Sequence, residues 1–365
     1  MSINRRGFLK GVAAGALTTL GTGALIEPAD ARPPKQLPPG AVGILYDATQ
    51  CIGCKACEVA CKAANDLPPE LNSPLEQIHG VSGVWDASDD LDSRTMNKIK
   101  AYAAQAAADA SGTPEVSYVK RACMHCVDPN CISACPVSAL TKDPDTGIVG
   151  YNPDACIGCR YCQLACPFNI PKFEYDKPFP KIVKCQMCRD RIADGDIPAC
   201  CAACPTGASL FGPVAELRDE AHRRLAAEPG TTLTYPIHRL PEADAKPDPA
   251  ARKDAPAPAY TQHIYGETET GGTQYMLLAD VPFDKLGLPR LGSESQARIS
   301  ETLQHALYGG MIAPTLLLGG LVYAAYKHTH EDAEEDGQDG DSSTDDPTPG
   351  GTPAKTDARR LGGRS

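Results

Sequence analysis

The stretch Cys156-Ile-Gly-Cys-Arg-Tyr-Cys-Gln-Leu-Ala-Cys-Pro167 spaces its cysteines C-x2-C-x2-C-x3-C and closes on a proline. A turn of that spacing can aim three thiolates into one concave loop, where they bind three irons of one cubane. The fourth cysteine starts the next element, points away and ligates the other cluster of a pair. The proline keeps that cysteine out of helical geometry and directs the chain onward. Backbone amides of such a loop can donate to the sulfides and tune the potential.

Three further groups flank this one. Cys51, Cys54, Cys57 and Cys61 repeat its spacing. Cys123, Cys126, Cys131 and Cys135 widen one interval and precede Pro136, and Cys185, Cys188, Cys200 and Cys204 precede Pro205. All 17 cysteines lie between Cys51 and Cys204, and four groups of four leave one spare. The x3 interval before Cys204 selects Cys200 as ligand and leaves the adjacent Cys201 as a buried bystander. Zinc sites favour two C-x2-C pairs, whereas the first and third groups here each pack four cysteines into one short loop. Disulfides would leave ambiguous pairings in such loops, and a 365-residue chain does not need them to fold. No group has a replaced ligand, so the expectation is four 4Fe–4S clusters. His125, Arg160 and Tyr161 lie between ligands and read as polar loop residues.

Around the cysteines the expected fold is α+β: tandem ferredoxin-like units built around the clusters, with one C-terminal transmembrane helix. Residues 42–240 form the cluster domain. Short strands are predicted at Val42–Asp47, Val116–Val119, Ile148–Tyr151, Lys172–Tyr175 and Ile182–Val183. Ala215–Leu225 is predicted as an amphipathic helix. Residues 67–112 read as an insertion whose Ala-rich part, Lys98–Ala110, is predicted helical. Residues 32–41 form a Pro-rich linker. Residues 241–305 read as an extended linker and partner-docking segment, with Pro241–Tyr260 rich in Pro, Ala and Asp.

The ends carry addresses. Asn4-Arg5-Arg6-Gly7-Phe8-Leu9-Lys10, a mildly apolar run to Ile26 and Ala29-Asp30-Ala31 have the layout of a twin-arginine signal peptide over residues 1–31. That route exports folded proteins, which suits clusters assembled in a reducing cytoplasm. Ala306–Tyr326 contains no charged residue and as a helix spans roughly 30 Å, the thickness of a bilayer core. Tyr308, Tyr323 and Tyr326 mark its ends, and Gly309/Ala313 and Gly320/Ala324 suit close helix packing. Together these segments predict a single-pass protein on the periplasmic face of the inner membrane with its C-terminus in the cytoplasm. Residues 327–365 read as a disordered acidic cytoplasmic tail.

A net charge of −11 and the lack of a basic, aromatic-interleaved stripe exclude nucleic acid as a partner. There is no P-loop, dinucleotide fingerprint or plausible triad. No catalytic residue is therefore assigned, and the chain reads as a non-catalytic electron-transfer subunit of an oxidoreductase complex.

Several stretches carry a family resemblance. They are Cys123-Met-His-Cys-Val-Asp-Pro-Asn-Cys131, Cys135-Pro-Val-Ser-Ala-Leu140, Lys142-Asp-Pro-Asp-Thr-Gly-Ile-Val149, Cys156-Ile-Gly-Cys-Arg-Tyr-Cys162 and Gly271-Gly-Thr-Gln274. With them the chain resembles the four-cluster iron–sulfur subunits of formate dehydrogenase and dimethyl sulfoxide reductase type. More narrowly it resembles the HybA family, the iron–sulfur subunits of membrane-bound NiFe hydrogenases. That resemblance implies how the groups pair. Cys51, Cys54 and Cys57 would join Cys204 on cluster one, and Cys61 would join Cys185, Cys188 and Cys200 on cluster two. Cys123, Cys126 and Cys131 would join Cys166 on cluster three, and Cys135 would join Cys156, Cys159 and Cys162 on cluster four. It also implies the partners: hydrogenase small and large subunits on one side, and an integral membrane, quinone-reactive subunit on the other. The alternative is the same role beside a molybdenum enzyme such as a formate dehydrogenase.

Overall fold

The computed structural model describes residues 32–68, 90–108, 114–178, 180–241 and 249–335. The expected signal peptide and most of the acidic tail lie outside these residues. The chain divides at Ala306/Leu307 into two units.

In the first unit, β1 (Val42–Asp47) is the middle of a three-stranded sheet. Its apolar run alternates between two cores. Leu45 faces one way and joins Leu210, Val214, Leu217, Ala221, Met276 and Leu278 in a core without cysteines. Ile44 and Tyr46 face the other way and join the core that holds Cys57, Cys123, Cys200, Cys201 and Cys204. One strand of period two therefore divides the packing layer from the ligand layer.

Among the described residues four two-stranded ladders accompany this sheet. β2 (Asn97–Ala108) and β3 (Pro114–Ala122) form an antiparallel pair with Ile99 opposite Lys120. Two-residue to three-residue ladders, β4 (Leu140–Lys142) with β5 (Val149–Tyr151) and β6 (Lys172–Phe173) with β7 (Ile182–Val183), bracket the third cysteine group. Then β8 (Ser209–Pro213) returns antiparallel to β1, with Leu45 opposite Leu210. β9 (Thr232–Pro236) pairs with β10 (Arg252–Pro256), and β11 (Tyr275–Leu278) lies parallel to β1, with Ile44 opposite Tyr275.

Short helices carry or directly follow cysteines in each group. They are α1 (Ala56–Ala64), α2 (Asn130–Ser133), α3 (Tyr161–Ala165), α4 (Arg189–Ala193) and α5 (Ala199–Ala202). α6 (Val214–Leu225) covers the cysteine-free core, with Val214, Leu217 and Ala221 on its buried face.

Three expectations are corrected. Lys98–Ala108 is strand, not helix, and the last two residues of the predicted helix, Asp109 and Ala110, lie outside the described residues. Helix propensity favours alanine by only tenths of a kcal/mol per residue. Pairing with β3 and burial of Ile99, Ala101 and Tyr102 outweigh it. Residues 90–108 are thus built into the cluster domain rather than inserted beside it. Second, the 241–305 stretch is not an extended linker: it supplies β10, β11 and a 3-10 turn at Phe283–Leu286. Tyr275-Met-Leu-Leu278 is apolar on both faces, as a strand buried on both sides must be. Third, the tail does not begin in coil at Lys327, since α7 (Gln296–Glu335) continues to Glu335 through good helix formers.

The stem of α7, Gln296–Ala306, belongs to the first unit and is fastened there. Arg32 Nε donates to Glu301 at 2.6 Å, and Arg32 Nη2 donates to Asp128 at 2.7 Å. Ser295 Oγ donates to the same Asp128 at 2.5 Å, and Ser133 donates to Glu301. These contacts hold the stem to the Asp128–Ser133 loop between Cys126 and Cys135.

In the second unit, α7 is long and apolar enough to cross a membrane over Gln296–Lys327, and none of its apolar window is buried in the protein. A core helix would be covered, so the predicted 306–326 span fits this helix better than that alternative does. Pro314 lies within it, and Thr315 Oγ1 donates to the Met311 carbonyl at 2.8 Å.

Candidate metal centres

Each C-x2-C pair folds in the same way. The residue before the second cysteine is left-handed in all four: Gly53 (φ 68°), His125 (φ 46°), Gly158 (φ 69°) and Met187 (φ 54°). This turn points the amide of that residue back at the first thiol. Gly53 N–H donates to Cys51 Sγ at 3.5 Å, Gly158 N–H to Cys156 Sγ at 3.4 Å and Met187 N–H to Cys185 Sγ at 3.2 Å. Lys55 and Arg160, also left-handed, then launch α1 and α3. These helices place Cys57 and Cys162 back over the loop.

The loops enclose cavities that join cysteines distant in sequence. Cys51, Cys54, Cys57 and Cys204 line one. Cys61, Cys185, Cys188 and Cys200 line another, and Cys135, Cys156, Cys159 and Cys162 a third. Cys126 lies within charge range of Cys123, Cys131 and Cys166, which makes a fourth set. Neighbouring sets also interact: Cys57 with Cys200, Cys185 with Cys123, and Cys131 with Cys162. The four sets therefore form a continuous row. All 17 thiols are free.

Among the described residues no His, Cys, Asp or Glu side chains converge on a point fit for one metal ion. Four thiolates on a zinc, each about 2.3 Å from it, would have to converge. These thiols instead line the walls of shared cavities, four to each, as the ligands of a cubane do.

Burial pushes Cys57 and Cys61 well above the ordinary thiol range, Cys131 and Cys185 up to about 12, and Cys162 to about 11. Sets of buried thiols resist ionisation until a cation joins them, so cluster binding and folding are coupled here. Cys200 is the exception: a hydrogen bond from Cys201, then the charge of Lys120, lowers it. Cys201 is fully buried, in line with its reading as the spare cysteine.

His125 also departs from the polar-loop reading. It is 1% exposed, its Nδ1 accepts the Val149 N–H at 3.0 Å, and its Nε2 has no protein partner. Burial, then Lys184 and Lys142, holds it below the usual imidazole range, so the ring is neutral and carries its proton on Nε2. Arg160 and Tyr161 stay at the surface, with the Arg160 guanidinium 5.2 Å from the Phe173 ring centroid.

Residues 50–139 and 114–214 each match a 4Fe-4S dicluster domain. Fold, cavities and matched domains define an iron–sulfur protein that holds 4Fe–4S clusters. The chain is 42% identical over 336 residues to the Hydrogenase-2 operon protein HybA of Escherichia coli O157:H7, covering 90% of this chain and 97% of that protein. The HybA protein of Shigella flexneri matches to the same extent. The nitrate-inducible formate dehydrogenase iron-sulfur subunit of Escherichia coli is 39% identical over 185 residues, covering 51% of this chain and 58% of that one. The chain belongs to the HybA family of 4Fe–4S proteins.

Proposed function

We propose that this chain relays single electrons through four 4Fe–4S clusters, from a periplasmic NiFe hydrogenase to a quinone-reactive membrane subunit. Cys51, Cys54, Cys57 and Cys204 would hold cluster one, and Cys61, Cys185, Cys188 and Cys200 cluster two. Cys123, Cys126, Cys131 and Cys166 would hold cluster three, and Cys135, Cys156, Cys159 and Cys162 cluster four. The observation that carries the reading is that cysteines distant in sequence meet around shared cavities. Each cluster supplies a one-electron couple, while the protein supplies spacing, burial and hydrogen bonds. Ligation by residues 51–204 links distant segments, so the wire and the fold are one object.

The hydrogenase partner rests on likeness to HybA over nearly the whole chain. The formate dehydrogenase likeness covers about half of it, and it favours the second reading, a molybdenum enzyme as electron donor. In the same proposal residues 1–31 direct twin-arginine export. Residues 306–326 cross the inner membrane once and leave the C-terminus in the cytoplasm.

The test uses the complex purified anaerobically from membranes. Hydrogen should reduce the chain's clusters within the complex, seen as new 4Fe–4S EPR signals, and formate should not. Reduction by formate alone would replace the first reading with the second. Reduction by neither donor would contradict both.

A further inference from the structure

Several buried ammonium groups stand beside the thiol sets, and most have conventional partners. Lys98 faces the Glu58 carboxylate at 3.9 Å. Lys184 donates to the carbonyls of Val149 and Cys185. Lys142 donates to the carbonyls of Cys126 and Gly147 and to Gln274 Oε1.

Lys120 is different. It is 2% exposed, and its Nζ donates to Ser209 Oγ at 3.0 Å and lies 5.9 Å from the Tyr275 ring centroid. No described carboxylate pairs with it. A hydroxyl and a ring face do not neutralise an ammonium, and a buried charge persists only beside an opposite one. Lys120 lines the cavity of Cys61, Cys185, Cys188 and Cys200. Ser209, which accepts its hydrogen bond, lines the adjoining cavity of Cys51, Cys54, Cys57 and Cys204.

We propose that Lys120 is the shared internal counter-charge of clusters one and two, raising the reduction potential of both. A 4Fe–4S core bound by four thiolates is an anion, and reduction adds one more negative charge to it. A fixed cation in a low-dielectric site between two such anions favours the reduced form of each. The two potentials therefore move together when the charge is removed. Lys120 is a positioning residue in this scheme, because it acts on the electron through the clusters.

The inference rests on the four-cluster assignment, so iron is counted first, on the intact complex carrying the unmodified chain. Fewer than four clusters there would overturn the assignment itself. With four present, the complexes carrying K120M and K120R are titrated potentiometrically with EPR detection. K120M should disfavour reduction of two of the four clusters at least tenfold, about 59 mV for one electron, and leave the other two in place. K120R should keep the unmodified potentials. Unchanged potentials in fully loaded K120M, or an equal shift in K120R, would overturn the proposal. Loss of iron from K120M with K120R fully loaded supports it, and loss from both overturns it.

Discussion

The two ends of the row differ from its middle. At the ends the loops share one pattern, Cys51-Ile-Gly-Cys-Lys-Ala-Cys57 and Cys156-Ile-Gly-Cys-Arg-Tyr-Cys162, and both are open. Ile52 is 62% exposed and Ile157 65%, while Val59 and Leu164, at matching positions after Cys57 and Cys162, are 68% and 84% exposed. In the middle, Cys200, Cys123, His125 and Lys120 are buried, and the loops depart from the pattern. Open apolar ends suit electron exchange with partners, and a closed middle suits control of charge. One spacing thus serves two purposes, according to what packs over it.

The largest way to break this contrast is to remove a ligand. Cys204→Ala should empty the cavity it shares with Cys51, Cys54 and Cys57 and lower bound iron by about a quarter, if each chain holds four equal clusters. Cys201→Ala, one helical turn away, should leave iron unchanged. Iron and labile sulfide assays on both variants decide the point, and equal losses would undo the assignment of Cys201.

Leu217→Ala tests the other layer. Leu217 is fully buried against the cysteine-free core. Its loss should cost about 2–5 kcal/mol of stability, read as a lower denaturation midpoint, with the EPR spectrum of the loaded protein unchanged. An altered spectrum would mean that the sheet does not separate the two layers.

The two open loops can then be set against each other. Gly53 and Gly158 share a left-handed backbone, so alanine costs about 1–2 kcal/mol at either position. A Cβ at Gly53 would also come within 2.4 Å of the Tyr118 ring, whereas at Gly158 the nearest atom, on Phe173, is 3.4 Å away. Gly53→Ala should therefore be the more damaging, in stability and in iron retention. The reverse order would show that the loops are not equivalent.

The smallest effect is at the surface. Val59→Glu and Leu164→Glu should leave iron content and folding intact and weaken partner binding by about 1 kcal/mol or more, measured as faster dissociation from the complex. If neither changes binding, the open ends are not the contact surfaces.

The ligand groups were legible in the sequence because cubane geometry fixes short spacings, and spacing survives translation into text. The apolar run of Val42–Asp47 and the apolar face of α6 were legible because their patterns are local. β2 was not. Its alanines favour helix locally, and only the partner strand Pro114–Ala122 makes the extended form the better choice. β11 escaped notice because it is only four residues long and pairs with β1, far back along the chain. Lys120 and the Nε2 of His125 were invisible in principle. Neither lies in a motif that assigns it a role, and what matters for each is the burial imposed by residues far along the chain.

The central claim is a row of four cubanes, and one measurement bears on it most directly. Iron and acid-labile sulfide are counted on anaerobically purified protein, with EPR after dithionite reduction. The account predicts about sixteen of each per chain and the broadened signals of interacting 4Fe–4S centres. Zinc in place of iron, or no labile sulfide in protein never exposed to oxygen, would contradict it.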